Sequence, residues 1–238
     1  MNAPDYGYRG GFAASSDVLF DAGLRQHMLR VYNYMALGLV FTGIVALTVA
    51  SVPALYVPIF SSPLKWVVML APLAFVFLFS ARMHSMTASG AQMMFWAFCG
   101  VMGLSLASVF LVFTGTSIAR TFFIAAAMFG ATSLYGYTTR TDLTKFSSFL
   151  IMGLIGVVIA GLVNIFLGSS VLQFVVSVIG IFVFLGLTAL DTQSIKEQYA
   201  ANMEAESQQK LAVCGAFSLY LNFINIFQLL LHFTGERE

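Results

Sequence analysis

Charged side chains cut this sequence into long apolar runs, and the lengths of those runs define its elements. No charge occurs between Arg30 and Lys65, and the 45 residues from Phe146 to Leu190 carry none at all. A membrane-spanning helix needs about 20 predominantly apolar residues, so the first run holds one span and the longer run holds two. Breakers place the ends. Pro53 and Pro58 close a first span over Val31–Val52, and a second runs over Leu64–Ala81 with a kink expected at Pro72. A third fills Ala91–Phe113 and a fourth Ile118–Tyr137, separated by Gly115. Gly168-Ser169-Ser170 divides the uncharged stretch into a fifth span, Phe146–Leu167, and a sixth from Val171. A charged loop, Lys196–Lys210, precedes a seventh span over Leu211–Phe233.

Composition agrees with this pattern. Of the 238 residues, 59% are hydrophobic and 9% charged, against about 25% charged in soluble domains. The fold class is therefore all-α, an integral membrane bundle of seven transmembrane helices. Residues 1–30 read as a mobile cytoplasmic tail that tightens into an interfacial helix near Asp21–Arg30, residues 31–233 as the bundle, and residues 234–238 as a short C-terminal tail. Small residues four apart, Gly103 with Ala107, Ala126 with Gly130 and Gly156 with Ala160, are candidate seams for close helix packing.

The near balance of 11 basic and 10 acidic residues argues against a nucleic-acid partner and leaves only charge placement informative. Arg9, Arg25, Arg30, Arg82, Arg140, Lys145, Lys196 and Lys210 fall on one side of the expected topology. Lys65, Arg120 and Arg237 fall on the other. The excess of positive charge marks the cytoplasmic side, which places the N-terminus inside and the C-terminus outside. Cys99 and Cys214 lie in apolar runs and read as buried hydrophobes.

Polar residues inside the spans must find partners away from lipid, so they carry the candidate chemistry. Asp191 stands at the end of the sixth apolar run, and a carboxylate in a span is by default a functional hypothesis. Thr188, Asp191, Ser194 and Gln198 form one stripe if that helix continues. Ser218, Asn222 and Asn225 form another on the seventh span. Arg82, at the end of the second span, falls at the same depth as Asp191, where the two would pair. The bland alternatives are a headgroup-level aspartate, amides that merely tie helices together, and an ordinary positive-inside arginine.

The motifs Gly103-Leu-Ser-Leu-Ala-Ser108, Ala131-Thr-Ser-Leu-Tyr-Gly-Tyr-Thr-Thr139, Gly186-Leu-Thr-Ala-Leu-Asp191-Thr-Gln and Leu219-Tyr-Leu-Asn-Phe-Ile-Asn225 resemble the bacterial branch of the Bax inhibitor-1 family. The resemblance runs from about Arg25 to Phe233. It implies a pH-dependent calcium leak channel of the bacterial inner membrane, with no tightly bound cofactor and calcium as the permeant ion. It further implies that Asp191 belongs to an aspartate pair acting as pH sensor and gate, latched by Arg82 and touching calcium weakly and transiently. Ser218, Asn225 and Thr188 would line the polar path. The sequence departs from the family pattern at Asn222, where the second aspartate usually stands. That removes the like-charge repulsion on which a two-carboxylate sensor relies.

A second reading makes the protein a non-conducting regulator of a membrane-bound protease or other membrane protein, acting through residues 1–30 and the loop Glu197–Lys210. Enzymatic readings are poorer. His27, His84 and His232 are scattered, no Gly-x-Ser-x-Gly run occurs, and the seventh span has no lysine for a retinal Schiff base.

Overall fold

A computed structural model describes residues 10–83, 85–200 and 202–236, with side chains from residue 21 onward. It contains α1 (Gly10–Ser51), α2 (Pro53–Phe60), α3 (Leu64–Arg82), α4 (Ala88–Val112), α5 (Gly115–Thr138), a 3-10 turn (Leu143–Phe146), α6 (Ser147–Leu167), α7 (Ser170–Gln198) and α8 (Ala205–Thr234). All of these except α2 and the 3-10 turn are long and apolar enough to cross a membrane, and they number seven. The short α2 begins at Pro53, where a missing N–H costs nothing, and buries none of its residues.

Burial is arranged inside out around α8. That helix packs on α1, α4, α5 and α7, whereas α6 packs on α7 and α3 packs mainly on α4. Asn164 is the one buried residue of α6, and Phe166, Phe149 and Met152 point outward. In water such exposure would be ruinous. In a bilayer these apolar side chains meet lipid tails as apolar as themselves, so no burial is required.

Three boundaries differ from the sequence reading. α1 is continuous from Gly10, and Leu24, His27, Met28, Val31 and Met35 are buried at helical spacing, so packing begins well before Val31. Gly23 lies against the Tyr199 hydroxyl, where a Cβ would sit only 2.1 Å away, which brings the start of α1 onto the end of α7. The mobility expected of the tail falls partly on residues 1–9, outside the described residues. α7 runs to Gln198, so Asp191 is inside a helix and not at its end. α8 starts at Ala205, because nothing in Ala205–Lys210 breaks a helix and Glu206 in its first turn favours the dipole.

α8 runs the full length of the bundle. Glu236 accepts from the Thr114 N–H (3.1 Å) and donates its own N–H to Ser117 (3.0 Å), at the α4–α5 turn. The opposite, near end carries the α3–α4, α5–α6 and α7–α8 connections.

Close helix approach occurs at one of the three expected seams. A Cβ on Gly103 would meet the Thr42 carbonyl oxygen at 2.8 Å, but Gly130 and Gly156 have nothing within 4 Å. The tightest backbone approach between two helices is elsewhere: a Cβ on Gly136 of α5 would lie 2.3 Å from the Ala189 carbonyl oxygen of α7. Backbone meets backbone there, so neither helix can yield by a rotamer change.

Gly136→Ala is expected to lower stability by about 1–3 kcal/mol through overpacking, whereas Gly130→Ala is neutral or mildly stabilising. Thermal unfolding of the two variants in detergent compares them. A pH effect is expected outside the spans. The side-chain hydroxyl and then the N–H of Thr144 hold the exposed Asp142 carboxyl below its ordinary range. This cap therefore contributes above the carboxylate range and is lost as pH falls through the lowered value. Amide exchange at Thr144, corrected for intrinsic rate, should accelerate on strong acidification in the parent and not in Asp142→Asn.

Candidate functional site

Successive residues of an α-helix point about 100° apart, so Asp191, Thr192 and Gln193 leave α7 in three directions. Each one ties α7 to a different neighbour. Gln193 is buried and donates to the Thr141 carbonyl (2.9 Å) while accepting from the Leu143 N–H (2.8 Å), which pins the α5–α6 connection. Lys196, one turn from Thr192, donates to the Tyr137 carbonyl (2.8 Å) and lies 5.2 Å from that ring.

Thr192 joins a chain of hydroxyls whose direction can be worked out. Its Oγ1 donates to the Thr188 carbonyl (2.7 Å) and lies 2.9 Å from Ser133 Oγ, which lies 2.6 Å from the Tyr32 hydroxyl. A hydroxyl has a single hydrogen. Thr192 has committed its own to Thr188, so Ser133 donates to Thr192 and Tyr32 donates to Ser133. The chain links α1, α5 and α7. A similar join holds α8: Thr42 donates to the Cys99 carbonyl (3.0 Å), so the fully buried Tyr220 hydroxyl donates to Thr42 (2.7 Å).

Asp191 takes the third direction, toward α8. Its Oδ2 accepts from the Asn222 amide at 2.7 Å, and the carboxyl group is half-buried. It lies about 31 Å along the axis from Ser170, at the near edge of a hydrocarbon core about 30 Å thick. A cavity of about 300 Å³ opens beside it between α1, α3, α7 and α8, walled by His27, Ser194, Gln198, Cys214 and Ser218 among others. The carboxylate thus meets an amide donor on one side and open space on the other.

The structure brings together Asp191, Asn222 and Ser218, and it adds Ser194 and Gln198 from the expected stripe. It does not bring in Arg82. Val76, Phe79, Ser80 and Met83 form the row of α3 that faces the cavity, and Phe79 stacks on Phe217 with centroids 4.0 Å apart. Arg82 lies off that row, exposed at the end of the helix, where its guanidinium reaches water and forms no ion pair with Asp191. Two expected path-lining residues turn inward on their own helices. Thr188 is fully buried and donates to the Phe184 carbonyl (2.7 Å), and Asn225 donates to the Leu221 carbonyl (2.7 Å). Both satisfy an i−4 carbonyl in place of a partner helix.

Sequence reasoning missed His27, which is buried against Tyr199 with ring centroids 5.4 Å apart and walls the Asp191 cavity. Its signal was available in the helical spacing of Leu24, His27, Met28 and Val31.

The pattern of the family described as inhibitor of apoptosis-promoting Bax1 matches residues 24–238. The chain is 50% identical over 224 residues to an uncharacterized protein, RP147, of Rickettsia prowazekii, covering 94% of this chain and 95% of the relative. It is 43% identical over 246 residues to an uncharacterized protein of Caulobacter vibrioides, covering 99% and 98%. It is also 42% identical over 220 residues to the inner membrane protein YbhL of Escherichia coli (strain K12), covering 91% and 94%. With seven helices long and apolar enough to span a membrane and a family match over residues 24–238, the chain belongs to the Bax inhibitor-1 family of integral membrane proteins.

Proposed function

We propose that this protein is a cation leak channel of the bacterial inner membrane, with calcium as a permeant ion, its N-terminus cytoplasmic and no enzymatic activity. The observation that carries this reading is Asp191, a carboxylate at membrane depth that lines a cavity and is held across a helix interface by the amide of Asn222. A buried charge in a span is costly, and its commonest uses are ion passage and proton sensing.

The mechanism follows from that hydrogen bond. An amide donor to an ionised carboxylate makes a charge-assisted bond, roughly twice as strong as the neutral equivalent. Protonation of Asp191 weakens the tie between α7 and α8 and withdraws the cavity's carboxylate charge, and the seam between the helices then opens. The carboxylate, amide and hydroxyl oxygens fall well short of the 6–8 oxygen ligands of a calcium-storage site, which suits brief contact and release. Arg82 has no part in this mechanism.

The regulator reading keeps an exposed loop, with Glu197, Asn202, Glu204 and Ser207 on the surface, although the start of α8 is tethered. Glu206 accepts from the Ala88 N–H (3.4 Å) and Gln209 donates to Gln92 (3.3 Å), so the start of α8 is engaged with α4.

In liposomes loaded with a calcium indicator, Asp191→Asn should leave a leak whose rate no longer changes between mildly acidic and neutral pH. A variant that keeps the parent's rate and pH dependence would refute the gate. Arg82→Gln should stay within about twofold of the parent, because an exposed unpaired charge contributes little. Removal of the tail that leaves flux intact but abolishes a cellular phenotype would favour the regulator.

A further inference from the structure

α8 is the most enclosed helix of the bundle, yet one row of it is not buried. Cys214, Ser218, Leu221, Asn225 and Gln228 are all half-buried, at spacings of 4, 3, 4 and 3 residues, and His232 continues the row as an exposed residue. These spacings follow a single face from end to end. The face is polar except at Cys214 and Leu221.

The row connects two cavities. Cys214, Ser218 and Leu221 wall the cavity that holds Asp191, at the near end. Gln228 and His232 wall a second cavity, also about 300 Å³, at the far end, with Ser105 and Ser108 of α4 and Met69 of α3. α3 supplies a wall to both, and Pro72 and Phe79 are its only buried residues. Pro72 also deprives it of one backbone hydrogen bond in mid-span. α3 therefore borders both cavities while burying little of its own surface.

We propose that the far cavity is the outer vestibule of the same cation route that Asp191 opens at the near end, and that Leu221 and Asn225 close the route between the two. This rests on reading the Asp191 cavity as one end of a cation path. Leu106, Val109, Val112 and Phe113 make much of the far cavity's wall apolar, and its polar side carries the groups that would meet a hydrated cation in transit. Ser108 donates its hydrogen to the Ser105 carbonyl (2.9 Å), which leaves the hydroxyl oxygen free to accept, and Gln228 adds an amide. Neutral oxygens bind an ion weakly enough for it to leave. Between the cavities, the Asn225 NH2 donates to the Leu221 carbonyl, which holds the side chain against its own helix, so the midpoint offers an ion an apolar side chain and a single amide oxygen. Release of that bond would let the side chain swing away from its helix and turn its oxygen toward the ion.

Thiol accessibility tests this separately from ion flux. In a Cys214→Ser background, Ser108→Cys, Gln228→Cys and Asn225→Cys are reconstituted in liposomes alongside Val163→Cys on the lipid face of α6, and a membrane-impermeant cationic methanethiosulfonate is added from each side. The thiols at 108 and 228 should react from the far side at least about tenfold faster than that at 163, because the reagent attacks the thiolate, which forms in water and not in lipid. Their modification should also block calcium flux, and Leu221→Ala should let the thiol at 225 react from both sides. If 108 and 228 both react no faster than 163, the far cavity is filled by lipid and the proposal fails, whatever the flux. If they react as expected but the parent passes no calcium, the hydrated route stands and the leak reading fails.

Discussion

An ionised carboxylate at the edge of a hydrocarbon core must have a partner or water, and much of the bundle is arranged to give Asp191 both. The Asn222 donor comes from α8, the most buried of the spanning helices, so its position is fixed by packing on four neighbours. The open space comes from α3, the helix with among the fewest. Orientation comes from the residues that follow: with Thr192 bound to α5 and Gln193 to the α5–α6 connection, α7 cannot rotate about its axis without breaking buried hydrogen bonds. A broken buried hydrogen bond leaves groups unsatisfied at about 1–3 kcal/mol each. The backbone contact of Gly136 with Ala189 sets the distance between the helices as those bonds set the angle.

The spans were legible because each is an uncharged run of the right length, and Gly168 stands out as the break in the longest run, with φ +60 at the end of α6. Helix ends beyond the hydrocarbon were not legible. Outside lipid, polarity no longer distinguishes helix from loop, so the first turns of α8 and the first part of α1 passed for connections. Asp191 and Asn222 were readable as polar residues at compatible depths on facing stripes. The absence of Arg82 from the site was not, because depth follows from topology but azimuth depends on which face α3 presents. For so apolar a helix, that face is set by the Phe79 and Phe217 stack, which only the three-dimensional packing reveals.

Thr188 and Asn225 illustrate the same limit at the level of a single side chain. Their spacing places them on the expected faces, but a hydroxyl or short amide in a helix can always turn to the carbonyl four residues back. Both do so. A polar stripe read from spacing is thus an upper bound on the groups available to an ion, and the bound is reached only where a cavity rewards the outward rotamer.

The hydroxyl chain from Tyr32 through Ser133 and Thr192 to the Thr188 carbonyl runs one way only. Every hydrogen in it is already assigned, and the last acceptor is a peptide oxygen that has no proton to hand on. The chain is a blind alley for Grotthuss transfer. The polar interior therefore separates into a strut that bears load between α1, α5 and α7 and a half-buried polar row along α8, so a proton reaching Asp191 must come by way of the cavity beside it and not through the strut.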